Sequence, residues 1–170
     1  VKVLDLPHGK FRDKGMPVDN ISNFDSTKEE IVYICDSEQM RYARLFFATK
    51  QGMVKKVEGT EFQVAKRTIA ATKLQNDDMV IHVGVISEDQ CVVLQTRDGY
   101  FLKFAAEEVA EKKKAAIGVR GIRLRKNDEV EAAYLFEEGT EVKALAGERE
   151  VSLGRLKTAK RDGNGTKVRG

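Results

Sequence analysis

The sequence predicts an all-β protein of the propeller kind, and three observations carry that prediction. The chain repeats itself at a spacing of 47 to 48 residues, each copy holds a hairpin signal at the same place, and each contains short strand-like runs in the number expected of a blade. The run Thr49-Lys50-Gln51-Gly52-Met53-Val54-Lys55-Lys56-Val57 aligns with Thr96-Arg97-Asp98-Gly99-Tyr100-Phe101-Leu102-Lys103-Phe104. A fainter copy runs Ala144-Leu145-Ala146-Gly147-Glu148-Arg149-Glu150-Val151, which puts the glycines at 52, 99 and 147. Lys2-Val3 matches Lys56-Val57 and Lys103-Phe104, so the chain reads as starting inside the last strand of an earlier copy.

Each element follows from local pattern. The glycines join β-rich runs at 44–49, 91–96 and 141–146 to runs at 53–57, 100–104 and 149–153. A polar residue and Gly between such runs signals a hairpin, because Gly reaches positive φ without steric cost. Upstream runs at 31–35, 79–85 and 130–136 each follow an acidic turn, and polar turns (36–39, 87–89, 137–139) lead onward. A fourth strand per unit is expected at 18–21, 69–74 and 119–124. Four short strands in about 48 residues is the size of a propeller blade. Only 105–116 is compatible with a helical period. The expected units are 1–30 (partial), 31–78, 79–128 and 129–170, giving three to four four-stranded blades in one domain, open or incomplete as a ring.

Composition narrows the function classes. Apolar residues make up 41% and charged residues 34%, the balance of a globular chain with a charged surface. No run approaches the ~18 apolar residues of a membrane span, and the N-terminus Val1-Lys2-Val3-Leu4 lacks an initiator Met and signal-peptide organisation. It reads as a piece of a longer protein. Cys35 and Cys91 lie in apolar runs and read as buried hydrophobes in a reducing compartment. With His8 and His82 they lack zinc-ligand spacing. His82 reads as a core histidine, His8 as a turn residue after Pro7, and the Gly-x-Gly at 163–165 is too weak a signal for a phosphate loop. No nucleophile, base and orienting group converge, which argues against independent catalysis.

The net charge of +3 says less than its distribution. Counted from each hairpin glycine, a basic cluster arrives at nearly one offset: Lys66 and Arg67, then Lys112, Lys113 and Lys114, then Lys160 and Arg161. The first, partial unit has Lys10, Arg12 and Lys14 in the corresponding loop. Equivalent positions in equivalent blades share one rim, so these clusters predict a curved cationic track. Such a track neutralises successive phosphates of a bent duplex, releases counterions and makes binding steeply salt-dependent. The loops lack the interleaved aromatics that stack single-stranded bases, so duplex backbone binding fits better.

The motifs also carry a resemblance. Gly118-Val119-Arg120-Gly121-Ile122-Arg123-Leu124, with 96–104 before it, resembles a blade of the C-terminal domain of the DNA gyrase A subunit, a domain shared with topoisomerase IV. Phe46-Phe47-Ala48-Thr49-Lys50-Gln51-Gly52-Met53-Val54-Lys55-Lys56-Val57 with Thr60-Glu61-Phe62 is similar to the preceding blade, and 2–7 with 14–21 to the one before. The resemblance implies a β-pinwheel, a propeller whose blades exchange strands. It implies that the domain binds and bends or wraps duplex DNA on its basic rim, in support of ATP-dependent topology change by a type II topoisomerase; Arg120 is expected to contact phosphates together with the basic clusters. The catalytic tyrosine and the ATP and Mg chemistry then belong to other domains. Tyr33, Tyr42, Tyr100 and Tyr134 take no catalytic role, and this segment needs no cofactor. Implied partners are duplex DNA, the remaining A-subunit domains and the ATPase B subunit, in the bacterial cytoplasm with no membrane. The family's Gln-Arg-Arg-Gly-Gly-Lys-Gly box is absent; Lys160-Arg161-Asp162-Gly163-Asn164-Gly165-Thr166-Lys167 is a loose echo with an acid inserted. This leaves topoisomerase IV-like capture at least as well supported as gyrase-type wrapping. A protein-interaction propeller is the alternative, though the Trp-Asp signature is missing and the chain has no Trp.

Overall fold

The computed structural model describes residues 6–66 and 68–168. Among the described residues ten strands follow one short helix, α1 (Ser37–Tyr42): β1 (Arg44–Thr49), β2 (Met53–Glu58), β3 (Val80–Val85), β4 (Gln90–Thr96), β5 (Tyr100–Ala105), β6 (Val119–Arg120), β7 (Val130–Glu137), β8 (Lys143–Ala146), β9 (Arg149–Ser152) and β10 (Thr166–Lys167).

The hairpins form where the sequence places them. Gly52 and Gly99 both adopt φ +79, and the threonine three residues earlier closes each turn. Thr49 Oγ1 accepts from the Met53 amide at 3.1 Å and Thr96 Oγ1 from the Tyr100 amide at 3.2 Å. The third hairpin differs. Ala146 pairs with Arg149, so Gly147 opens a tight turn instead of ending a longer one. The structural repeat is instead marked by 3-10 turns beginning at Gly59, Ala106 and Leu153, a constant spacing of 47.

Two four-stranded antiparallel sheets have the orders β3-β1-β2-β6 and β7-β4-β5-β10, and β8-β9 forms a two-stranded third. Each complete sheet is one hairpin flanked by strands supplied from further along the chain, so its strands cross the boundaries of the sequence units. β6 pairs through Met53↔Arg120 and Val54↔Val119, and β10 through Phe101↔Thr166 and Tyr100↔Lys167. This exchange of strands is the pinwheel arrangement.

Because sheets stack on one another, both faces of the central hairpins are covered, and 45–48 and 91–96 are buried without interruption. Phe46, Ala48 and Val54 of the first sheet share a core cluster with Val92, Leu94, Leu102 and Phe104 of the second. Cys91, Val93 and Phe101 join Ala144, Ala146 and Val151 of the third, and Leu153 of the turn that follows it.

Several expected strands are absent. Residues 18–20 form a 3-10 turn, 31–35 and 69–74 have no regular structure, 119–124 is a strand only at Val119–Arg120, and β8 begins at Lys143. The expected turn at 36–39 lies at the start of α1, where Asp36 caps the Gln39 amide at 2.7 Å. The physical reason is common to the missing strands. β3 and β6 are extended because a neighbouring hairpin accepts their backbone bonds, and among the described residues no hairpin pairs with 31–35 or 69–74. The locally helical stretch at 105–116 reduces to the 3-10 turn Ala106–Glu108.

Candidate nucleic-acid interface

The chain leaving each hairpin is laid along the edge of the hairpin before it. Parallel bridges Lys56↔Glu111 and Lys103↔Thr158 fix this placement, with Lys112 N–H on Lys56 O at 2.9 Å and Ala159 N–H on Lys103 O at 2.8 Å. Lys113 and Lys160 therefore occupy equivalent sites at a spacing of 47, as do Lys114 and Arg161. Lys66 stands one such spacing before Lys113 and is exposed; Arg67 lies outside the described residues.

Within each pair the two cations have different surroundings. Lys114 donates its amide to Glu61 Oε2 at 2.7 Å and its ammonium to Glu61 O at 2.8 Å. Arg161 repeats this on Glu108, with its amide on Oε2 and Nε on the carbonyl, both at 2.9 Å. The second base of each pair thus latches a repeat onto the 3-10 turn of the one before. The first base points outward. Lys113 reaches Glu61 at 2.9 Å yet remains 84% exposed, and Lys112 and Lys160 are exposed. The bonds from the Lys114 amide and the Lys113 ammonium hold the Glu61 carboxyl below its ordinary range.

Lys55 underlies this loop. Its ammonium is buried (2% exposed) and donates to the carbonyls of Lys113 at 3.3 Å, Lys114 at 2.8 Å and Ala116 at 2.8 Å. It also stands 5.4 Å from the Phe47 ring centroid. Three peptide oxygens of the basic loop thus converge on one interior cation.

The other expected contacts are spread around the structure. Arg120 pairs with Asp162, Nε to Oδ1 at 2.5 Å and Nη2 to Oδ2 at 3.0 Å, and Arg120 holds the Asp162 carboxyl down. Asp162 is the acid that interrupts the glycine-rich echo. Lys10, Arg12 and Lys14 are exposed in an irregular segment where the Lys10 amide bonds Asp13 Oδ2 at 2.6 Å. Among the described residues no strand register aligns this segment with the later clusters. The bases in the hairpin turns, Lys50 and Arg97, both pair with Glu129, at 3.1 and 3.0 Å, tying the tips of the first two hairpins together.

A second periodic series escaped sequence reasoning. Lys73 and Lys167 stand at the same spacing of 47 on either side of Arg120. Arg120 and Lys167 both lie on the outermost strand of a sheet, opposite Met53 and Tyr100. The spacing itself was the signal, hidden because the repeat was anchored on glycines whose third member is displaced.

Groups suited to covalent chemistry are dispersed. Cys91 is buried with Sγ 2.7 Å from Glu138 Oε2, and burial pushes its thiol up to about 11. Cys35 is only partly buried. Burial lowers His82, which sits on β3 with its ring 6.2 Å from that of Phe46. Tyr134 is a structural donor to Gln95 Oε1 at 3.0 Å. Among the described residues no group of three or more His, Cys, Asp or Glu is placed to hold a metal, and no helix is long and apolar enough to cross a membrane.

The family described as "DNA gyrase C-terminal domain, beta-propeller" matches residues 43–87 and 92–137, more than half of the chain. The chain belongs to this family. Among the members, the DNA gyrase A subunit of Deinococcus deserti is 33% identical over 158 residues, covering 91% of this chain and 20% of that protein. The DNA topoisomerase 4 A subunit of Bacillus subtilis is 30% identical over 142 residues, covering 82% and 18%. The solved C-terminal domain of DNA topoisomerase IV superposes with a TM-score of 0.86 at 28% identity, over 98% of this chain and 53% of that one. A DNA gyrase A C-terminal domain shares the fold, with a TM-score of 0.73 at 20% identity over 92% and 53%. The chain thus spans about a fifth of these curated relatives and about half of these two solved domains.

Proposed function

We propose that this chain binds duplex DNA by its phosphate backbone and bends or wraps it, as the DNA-presenting module of a type II topoisomerase A subunit. The observation that carries this reading is the repeated placement of an exposed base, Lys113 then Lys160, by the same backbone bridges in consecutive repeats, with Lys66 in sequence register before them. Lys112, Lys10, Arg12 and Lys14 add exposed cations. Arg67, Lys114, Arg120 and Arg161 extend the candidate contact set; the last three also hold the rim together. ATP hydrolysis, Mg and strand cleavage fall to the other A-subunit domains and the B subunit, in the bacterial cytoplasm.

The test is duplex binding by fluorescence anisotropy as a function of salt, on two unrelated sequences. Affinity should fall steeply between about 50 and 200 mM salt. The triple variant K66A/K113A/K160A should flatten the log–log slope by about 2 to 3 and weaken both duplexes alike. Absent or salt-insensitive binding would refute the reading, and protein capture without DNA binding would favour an interaction propeller. Binding to relaxed closed-circular plasmid followed by a nicking-closing enzyme separates wrapping from bending, since only handed wrapping shifts the linking number.

A further inference from the structure

We infer that Tyr100, Arg125 and Lys167 form a phosphate clamp on the outer edge of the second sheet, a site the repeated basic clusters do not include. The inference rests on the DNA-binding reading and adds a specific contact to it. The Arg125 guanidinium carbon stacks 3.6 Å from the Tyr100 ring centroid, and the Lys167 ammonium stands 5.4 Å from the same centroid. Lys167 is brought there by β10, where it pairs directly with Tyr100. Arg125 Nη1 reaches Asn164 O at 3.5 Å.

Two cations therefore lie within cation–π reach of one ring, and among the described residues neither has a carboxylate within ion-pairing distance. Asp98 and Glu131 line the recess beside Lys167 without reaching it. The π face attracts each cation, but the cations repel each other. An anion held by both removes that repulsion. Stacking and the Nη1 bond to Asn164 leave the in-plane Nε–Nη2 edge of Arg125 for the two oxygens of a phosphate, the geometry in which guanidinium binds most strongly. One repeat earlier the arrangement is closed off. Met53 replaces the ring opposite Arg120, and Asp162 already neutralises that arginine. The clamp accordingly distinguishes the second sheet from the first.

A phosphate can come from a DNA backbone or from a free nucleotide, and the test has an arm for each. R125Q, K167Q and Y100L are compared with wild type for duplex binding across a salt series and for ATP binding by calorimetry. K28Q serves as a control in the acidic segment. The clamp predicts that R125Q and K167Q each weaken duplex binding about fivefold or more and each reduce the salt slope by about 1. Y100L should weaken it about threefold with the slope retained, since it removes no charge. Loss confined to the ATP arm overturns the assignment to the backbone. If wild type binds duplex but R125Q and K167Q match K28Q, the clamp is wrong and the DNA-binding reading stands. If wild type fails to bind duplex, that reading itself fails.

Discussion

Replacing Lys55 with methionine should destabilise the module by about 2–4 kcal/mol and weaken duplex binding while removing no surface charge. Methionine fills similar volume, but the carbonyls of Lys113, Lys114 and Ala116 lose their shared donor. Buried acceptors left without partners cost about 1–3 kcal/mol each, less where the loop can relax toward water. The loop that relaxes is the one that presents Lys112 and Lys113. Affinity should therefore fall in K55M, yet K55M should have little further effect on affinity once Lys112 and Lys113 are already alanine. A purely global loss of stability would weaken both backgrounds equally. The pH dependence has a definite sign. Burial pushes the Lys55 ammonium down to about 8 from its usual 10.5, against a smaller upward pull from Glu61. The folded chain thus binds this proton less tightly than the unfolded chain, so stability gained from this group rises from about pH 8 toward 10.5. Urea midpoints measured across that range should rise in wild type relative to K55M. A difference that stays flat would rule out titration of Lys55.

Gly118→Ala should cost about 3 kcal/mol or more and detach the exchanged strand β6 from the first sheet. A Cβ at position 118 would lie 2.4 Å from the Val54 carbonyl oxygen, a backbone atom inside the hairpin that cannot rotate away. Relief requires β6 to move off β2, breaking the Met53↔Arg120 and Val54↔Val119 pairing. Gly121 guards the same crossing, since its Cβ would meet Val54 Cγ1 at 2.7 Å and Leu94 Cδ1 at 2.8 Å. Gly139→Ala is the comparison: φ is +88, but nothing lies within 4 Å, so only local strain of about 1 kcal/mol is expected. Equilibrium denaturation ranks the two, and hydrogen exchange at 119–122 locates the damage. Equal stability in G118A and G139A would contradict a close-packed crossing.

The hairpins were legible because their determinants are local. Thr49 and Gly52, like Thr96 and Gly99, make a turn from their own backbone and hydroxyl. The 47-residue spacing and the family followed from the same repetition, and the spacing also placed Lys113 and Lys160 in equivalent settings. Residues 31–35 and 69–74 were misread for the complementary reason. Like 79–85 they are rich in apolar and β-branched residues, and what differs is a hairpin alongside to bond to. Lys55 looked like one more polar residue in an alternating strand, and nothing nearby in sequence announces that three carbonyls 58 to 61 residues on will surround it.

The all-β class, the repeat, the positions of the hairpins and the family are readable from the residue order, since each rests on residues a few positions apart or on direct self-similarity. Tertiary structure alone decided which strands pair across repeats, which member of each basic pair faces outward, and where Arg125 and Lys167 meet on Tyr100. These depend on contacts between residues tens of positions apart. An identical lysine becomes a latch, an interior cation or an outward-facing surface charge according to the edge it is laid against.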